Sequence, residues 1–179
     1  MVQEKRNYSR ISTRIKARLR RVESPEAPPL FHAGRLNIPQ SLPDGQSNLR
    51  EANLPEGLGA YLESLERKID LILSLLSRDS LKNDFPLETE VTELSGGGLR
   101  CFAPDEGLSV GQAIEMVIFL SQLPMSVAGV VGVVRRIEQV EGQTVYGVEF
   151  TNLRESDREK IVHFVFQEQR EQIRTQKND

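Results

Sequence analysis

The sequence predicts a mainly β fold with helices (β+α): about six short strands, enough for a small antiparallel barrel or sandwich, a long helix inserted between the first and second strands, and a C-terminal helix. Three observations carry this. A period-two alternation from Ile11 is followed, much later, by five strand-like segments separated by turn signals. Between Leu58 and Leu76 the apolar residues instead follow 4-3-4-3-4 spacing, the a/d seam of a heptad. Residues 156–159, Ser-Asp-Arg-Glu, form a capping box ahead of a further apolar run. With 179 residues, 27% charged and 38% hydrophobic, the chain suits one globular domain with additions.

The first strand places Ile11, Thr13, Ile15, Ala17 and Leu19 on one side and Ser12, Arg14, Lys16, Arg18 and Arg20 on the other. One apolar and one basic face describe a half-buried strand. The basic face fits an edge strand blunted by charge against aggregation as well as it fits a binding surface. Residues 1–22 hold eight cations against Glu4 alone, a net +7; the formal total is −3, so the remainder carries −10. A basic arm on an acidic body points to an anionic ligand or partner.

Residues 23–54 differ in kind. Six of the nine prolines fall between Glu23 and Pro55, with few large apolar residues, so this part reads as an irregular insert. The long heptad helix follows over residues 55–84, with Asn53 as a cap and Pro86 as the stop. Its seam is Leu58, Leu62, Leu65, Ile69, Ile72 and Leu76, widened by Leu71, Leu73 and Leu75. A helix apolar over so much of its circumference buries several sides, which predicts a bundle of more than two copies rather than packing on its own small β domain.

Residues 87–154 supply the remaining strands: 87–94, 98–102, 113–120, 127–140 and 144–150. Ser95-Gly96-Gly97 joins the first two, Leu123-Pro124 is a turn candidate, and Glu141-Gly142-Gln143 is a hairpin signal. The C-terminal helix, 155–175, is expected to turn Ile161, Phe164, Val165 and Ile173 inward. The whole is one discontinuous domain.

Several functions are excluded. The longest apolar run, 128–134, is far shorter than the roughly 20 residues of a membrane-spanning helix. The N-terminus has basic residues without an apolar core, unlike a secretory signal. Cys101 is the single cysteine, which fits a reducing, cytoplasmic setting, and with only His32 and His163 it makes no Cys/His zinc site. No catalytic pair accompanies Glu93 or Glu149, and Ser95 has no paired base. His163 reads as packed or at a helix boundary, and Cys101 as a small core residue. The aromatic fraction is 6%, and Phe102, Phe119 and Phe150 read as core rather than as base-stacking platforms, so nucleic acid is the weakest candidate partner. No enzyme, cofactor or metal is expected.

Two features remain. Arg6 and Arg10 lie four apart just before the first strand, and residues 93–98, Glu-Leu-Ser-Gly-Gly-Gly, form a polar glycine-rich connection. Arginine forks grip phosphate and the O6/N7 edge of guanine. A carboxylate accepts from guanine N–H groups, a serine bonds phosphate, and glycine admits close backbone approach.

In this order the two features resemble the PilZ domain family, bacterial receptors for cyclic di-GMP. The family's Arg-x-x-x-Arg is matched by Arg6 and Arg10, and its Asp/Asn-x-Ser-x-x-Gly by Ser95 and Gly98, with Glu93 in the Asp/Asn place. Leu99-Arg100, Val110-Gly111-Gln112, residues 147–150 and the C-terminal helix are also similar, so the resemblance covers residues 4–22 and 87–170. It implies a six-stranded antiparallel barrel and a non-enzymatic cyclic di-GMP receptor with Arg6, Arg10, Glu93, Ser95 and Gly98 as ligand residues. The inserted coiled-coil helix resembles the atypical tetrameric group, which implies a homo-oligomer, a tetramer, acting on an unidentified downstream protein. The alternative is a degenerate PilZ scaffold that assembles without binding the nucleotide.

Overall fold

Eight elements follow one another in the computed structural model, which describes residues 9–31, 58–102, 107–122 and 125–176; within the first helix the side chains of residues 63, 66, 70 and 73–80 lie outside the description. They are β1 (Arg10–Arg21), α1 (Leu58–Asp84), β2 (Leu87–Ser95), β3 (Gly98–Phe102), β4 (Ala113–Gln122), β5 (Met125–Val140), β6 (Gln143–Asn152) and α2 (Glu155–Gln176). The six strands pair antiparallel and close a barrel in the order β1-β2-β3-β6-β5-β4, with β4 returning to β1. Residues 32–57, which contain most of the proline-rich insert and Asn53, are outside the described part, as are His32 and the Leu123-Pro124 turn.

Closure corrects the edge-strand reading for the second half of β1. That half pairs with β2 on one side and, over Ala17–Arg21, with β4 on the other, whereas residues 10–16 have a strand partner on the β2 side alone among the described residues. Its inward residues Ile11, Ala17 and Leu19 are buried, as the alternation requires. Its outward cations face acids on β2: Lys16 Nζ lies 3.2 Å from Glu88 Oε1, Arg18 Nη1 3.1 Å from Glu88 Oε2, and Arg14 Nε 4.0 Å from Glu90 Oε1. The basic face is therefore half of a cross-strand charge ladder that is solvated at Arg14 and Lys16, 85% and 68% exposed, and mostly covered at Arg18, 12% exposed.

The barrel interior is filled from every strand, including Leu19, Val91, Leu94, Cys101, Ile114, Met116, Ile118, Val130, Val134 and Val148, and α2 adds Ile161 and Val165. A second, smaller cluster joins Phe31, Leu81, Phe85, Val117 and Val127. Val117 alternates with the inward Met116 and Ile118, so this cluster sits on the outer face of β4 and β5. It docks the two ends of the insert on the barrel. α1 stops at Asp84, and Phe85, held away from helical geometry by Pro86, turns into the cluster. Arg18 ties that exit down, donating from Nε to the Phe85 carbonyl at 2.7 Å and from Nη2 to the Pro86 carbonyl at 2.9 Å.

The β5–β6 hairpin closes through Glu141 and Gly142 at φ 49° and 80°, the left-handed pair of a two-residue type I′ turn. α2 differs from expectation in three ways. The helix starts at Glu155, so Ser156 lies inside the first turn rather than at the cap that the capping box implies, and Glu155 and Asp157 there complement the helix dipole. Ile173 is 54% exposed, because at this level the helix turns Gln172 towards β1, where its Nε2 donates to the Ser12 carbonyl. His163 is exposed in mid-helix, neither packed nor at a boundary, since Ile161 and Val165 define the inward face.

Candidate functional site

Four of the five ligand residues expected from sequence converge at one end of the barrel's outer face. The fifth, Arg6, lies outside the described residues. Arg10 opens β1 directly opposite Ser95, the last residue of β2; Ser95 stands opposite Gly98 of β3, and Gly98 opposite Glu149 of β6. Glu93 occupies the next outward row, between Ser12 of β1 and Arg100 of β3. The intervening Ile11, Leu94 and Leu99 are buried in the core, which turns this set outward. Arg10 is exposed and makes no ion pair among the described residues.

Ser95 and Gly98 shape the loop. The Ser95 hydroxyl donates to the Gly98 carbonyl at 2.9 Å and accepts from the Gly97 amide at 3.4 Å, closing the Gly96-Gly97 turn. A Cβ on Gly98 would stand 2.5 Å from the Val148 carbonyl oxygen, so only glycine lets β3 approach β6 this closely. Glu93 follows a bulge in β2, where the register against β3 shifts between Val91 and Glu93, a device that re-aims a side chain.

Glu93 Oε1 accepts from Arg100 Nη1 at 2.8 Å, and Arg100 Nη2 donates to Glu138 of β5. The hydrogen bond to Glu93, more than any other cause, holds the Arg100 pKa above its ordinary value, against the opposing pull of burial. α2 crosses both halves of the site. Arg158 Nη1 donates to the Gly96 carbonyl at 3.0 Å, Gln172 Nε2 to the Ser12 carbonyl at 3.0 Å, and Gln169 Nε2 to the Ser9 hydroxyl. Behind the site, burial pushes the Cys101 thiol up to about 12, which makes it unreactive at neutral pH. Among the described residues no group of three or more His, Cys, Asp or Glu could hold a metal ion, and no helix is long and apolar enough to cross a membrane.

Glu138, Gln172 and the buried Glu115 were missed by sequence reasoning. Each is an ordinary polar residue in a strand or helix, and only the pairing of strands distant in sequence gives it a partner. Leu99-Arg100 had a weak signal, its place directly after the glycines.

The model of the PilZ domain family matches residues 68–167, more than half of the chain. The chain belongs to the PilZ family. The match starts inside α1 and ends in α2, leaving β1 outside it. No curated protein is matched. Among solved structures, the PilZ chain is similar to a pathogenic protein of Xanthomonas campestris, described as a tetrameric PilZ domain self-assembled through a helical bundle, at TM-score 0.56 and 18% identity, covering 94% of this chain and 92% of that one. It is also similar to the Bacillus subtilis inhibitor of motility, MotI/DgrA, at TM-score 0.52 and 12% identity over 93% of this chain; it spans about half of that protein's length, 51%. The PilZ domain of YcgR from Escherichia coli, solved with cyclic di-GMP, matches 52% of this chain and 79% of its own at TM-score 0.43 and 15% identity. At these identities the first two likenesses are of fold.

Proposed function

We propose that this PilZ domain is a non-enzymatic cyclic di-GMP receptor in bacterial second-messenger signalling, working in the cytoplasm. The observation that carries the reading is the cross-strand row Arg10–Ser95–Gly98 with Glu93 beside it, all on one outward face. Arg10, with Arg6 on the arm before it, grips phosphate and the guanine O6/N7 edge through guanidinium forks. Glu93 accepts from guanine N–H groups, and Ser95 and Gly98 keep the opposite wall low enough for the ligand to lie against the backbone. Ligand binding draws the arm onto the barrel, and the bonds from α2 to Ser9, Ser12 and Gly96 support a reading in which that helix passes the change to a downstream partner. Calorimetric titration tests this: micromolar or tighter binding, abolished by Arg10→Ala, is expected. No heat and no thermal shift at saturating ligand overturns it.

The same protein self-associates through α1 in this reading. Leu58, Leu65, Ile69 and Ile72 of the seam are exposed, flanked by exposed Tyr61 and Leu71, while Leu62 is half-buried. The Leu76 side chain lies outside the description. Exposed apolar residues at a/d spacing lower their free energy by packing against copies of themselves. The tetrameric bundle described for the Xanthomonas protein supports four copies. Light scattering with and without ligand reports assembly and response together, and a monomer at working concentration overturns the assembly.

A second reading, an oligomeric scaffold that no longer binds nucleotide, is favoured by the engagement of Glu93 with Arg100. A large affinity gain in Glu93→Asp would mark native binding as vestigial and favour the scaffold.

A further inference from the structure

The row containing Glu93 continues beyond the proposed ligand residues. Glu93 of β2 stands opposite Arg100 of β3, and Arg100 opposite Gly147 of β6, which itself faces Arg136 of β5. Arg100 joins Glu93 to Glu138, and Glu138 Oε1 lies 3.3 Å from Arg136 Nε. The result is a chain of four charges alternating in sign that runs from β2 to β5 across the outer face. Gly147 is its floor: a Cβ there would come within 2.7 Å of Arg136 Cγ and Nε. The arrangement depends on the fork of an arginine, because a guanidinium presents donors in two directions at once and an ammonium on a flexible stem does not hold both.

Glu93 is one methylene longer than the aspartate that the motif ordinarily carries, so it has one more torsion to freeze when it meets a ligand. Here that torsion is already restrained, since the carboxylate is bonded to an arginine that is itself held by a second carboxylate. A carboxylate has lone pairs enough to accept from Arg100 and still receive guanine N–H donors. The ordering takes place on folding rather than on binding, which is how a supporting shell raises affinity.

We propose that Arg100 is a positioning residue of the ligand site, locking Glu93 in its receiving orientation through the Glu93–Arg100–Glu138 chain. The proposal rests on the cyclic di-GMP reading and concerns the part of it that the extra methylene of Glu93 alters. It predicts coupling between two side chains, which a merely structural role does not.

The experiment is calorimetric titration of the full chain with cyclic di-GMP in five forms: wild type, Arg100→Met, Arg100→Lys, Glu93→Asp and the double variant Glu93→Asp/Arg100→Met. Melting without ligand runs in parallel. Arg100→Met is expected to weaken Kd about tenfold, the scale of a direct pairwise coupling. Arg100→Lys recovers part of that loss, since it keeps one charge-assisted bond. On the Glu93→Asp background, where the shorter carboxylate falls short of Arg100, Arg100→Met changes Kd less than about threefold. Wild type and Arg100→Met binding equally, or Arg100→Met binding more tightly, overturns the positioning role and leaves the receptor reading standing. Equal weakening on both backgrounds also overturns it, because it marks a general loss of structure. Absence of binding by the wild type and every variant overturns the receptor reading and this inference together.

Discussion

The outside of the barrel carries two Arg–Glu pairs that look alike in sequence and differ in surroundings. Arg20 directs Nε and Nη2 at Glu115 Oε2, 2.7 and 2.6 Å away, and the Phe31 amide donates to Oε1 at 2.7 Å. Glu115 is 1% exposed, and the Arg20 guanidinium carbon lies 6.0 Å from the centroid of the Phe85 ring. Arg100 meets Glu93 through a single Nη1 donor, with side chains 24% and 31% exposed. The two guanidiniums are about equally exposed, Arg20 at 29%, so the difference lies in the carboxylates: Glu115 is enclosed by the apolar cluster that docks the insert, and Glu93 is partly exposed beside the proposed ligand row.

The difference separates anchoring from binding. A carboxylate taken out of water must keep every partner, because removing one leaves a desolvated charge uncompensated. A partly exposed pair costs less to rearrange, since water competes for both ions. The Glu115 pair therefore suits a permanent attachment of the insert, and the Glu93 pair suits a surface that exchanges or shares partners with a ligand.

Breaking the enclosed pair has the largest expected effect. Arg20→Ala leaves the buried Glu115 carboxylate with the Phe31 amide but without its counter-ion, and chemical denaturation is expected to show a loss of about 3–5 kcal/mol. A loss below about 1 kcal/mol breaks the comparison, since that is the range of open pairs. Next comes Gly129→Ala, whose new Cβ stands 2.3 Å from the Phe31 ring and displaces it. A loss of about 1–3 kcal/mol is expected, with faster proteolytic cleavage next to Phe31 than within the barrel. If cleavage there does not change, Phe31 is not the anchor.

On the open face the effect on stability is smaller. Glu93→Ala is expected to change unliganded stability by less than about 1 kcal/mol while weakening cyclic di-GMP binding. A larger loss of stability in this variant removes the distinction between the two pairs. The interior between the faces gives the smallest effect at neutral pH. Cys101 is held protonated by burial, its pKa raised from 9.0 to about 12, so the folded state keeps a proton that the unfolded state loses. Stability from this group is therefore complete below pH 9 and falls as pH rises from 9 towards 12. A thiol reagent at pH 7 should leave Cys101 unmodified until the protein unfolds, and prompt labelling of the folded chain contradicts its burial.

Much of the fold was legible because its signals are local. Ile11, Ala17 and Leu19 announce a strand by period two, Glu141-Gly142-Gln143 a hairpin, and Pro86 the end of α1, though the two-residue primed turn at Glu141-Gly142 is seen only in the structure. The proposed site was legible as residue types, since Arg10, Ser95 and Gly98 sit in spaced motifs. Its supporting residues were not. Arg100 and Glu138 are 38 positions apart, and nothing in the periodicity of either strand says which outward rows become neighbours. The edge reading of β1 failed over Ala17–Arg21 for the same reason, since β4 pairs there only once the barrel has closed, while Arg14 and Lys16 are solvated beside Glu90 and Glu88.

By itself, the sequence determined which of the described segments are strands and helices and which faces are apolar, and it singled out two arginines and a glycine-rich turn as candidates for holding an anion. These follow from side-chain period, turn chemistry and charge, all of which act over a few residues. Tertiary structure alone decided that the second half of β1 is closed on both sides, that Arg20 and Phe31 converge on a buried Glu115, and that Glu93 is held by Arg100 rather than left free. Those outcomes depend on register and desolvation. A carboxylate becomes an anchor or a ligand-facing group according to how much water the neighbouring strands leave it, a quantity that exists only once the barrel has closed.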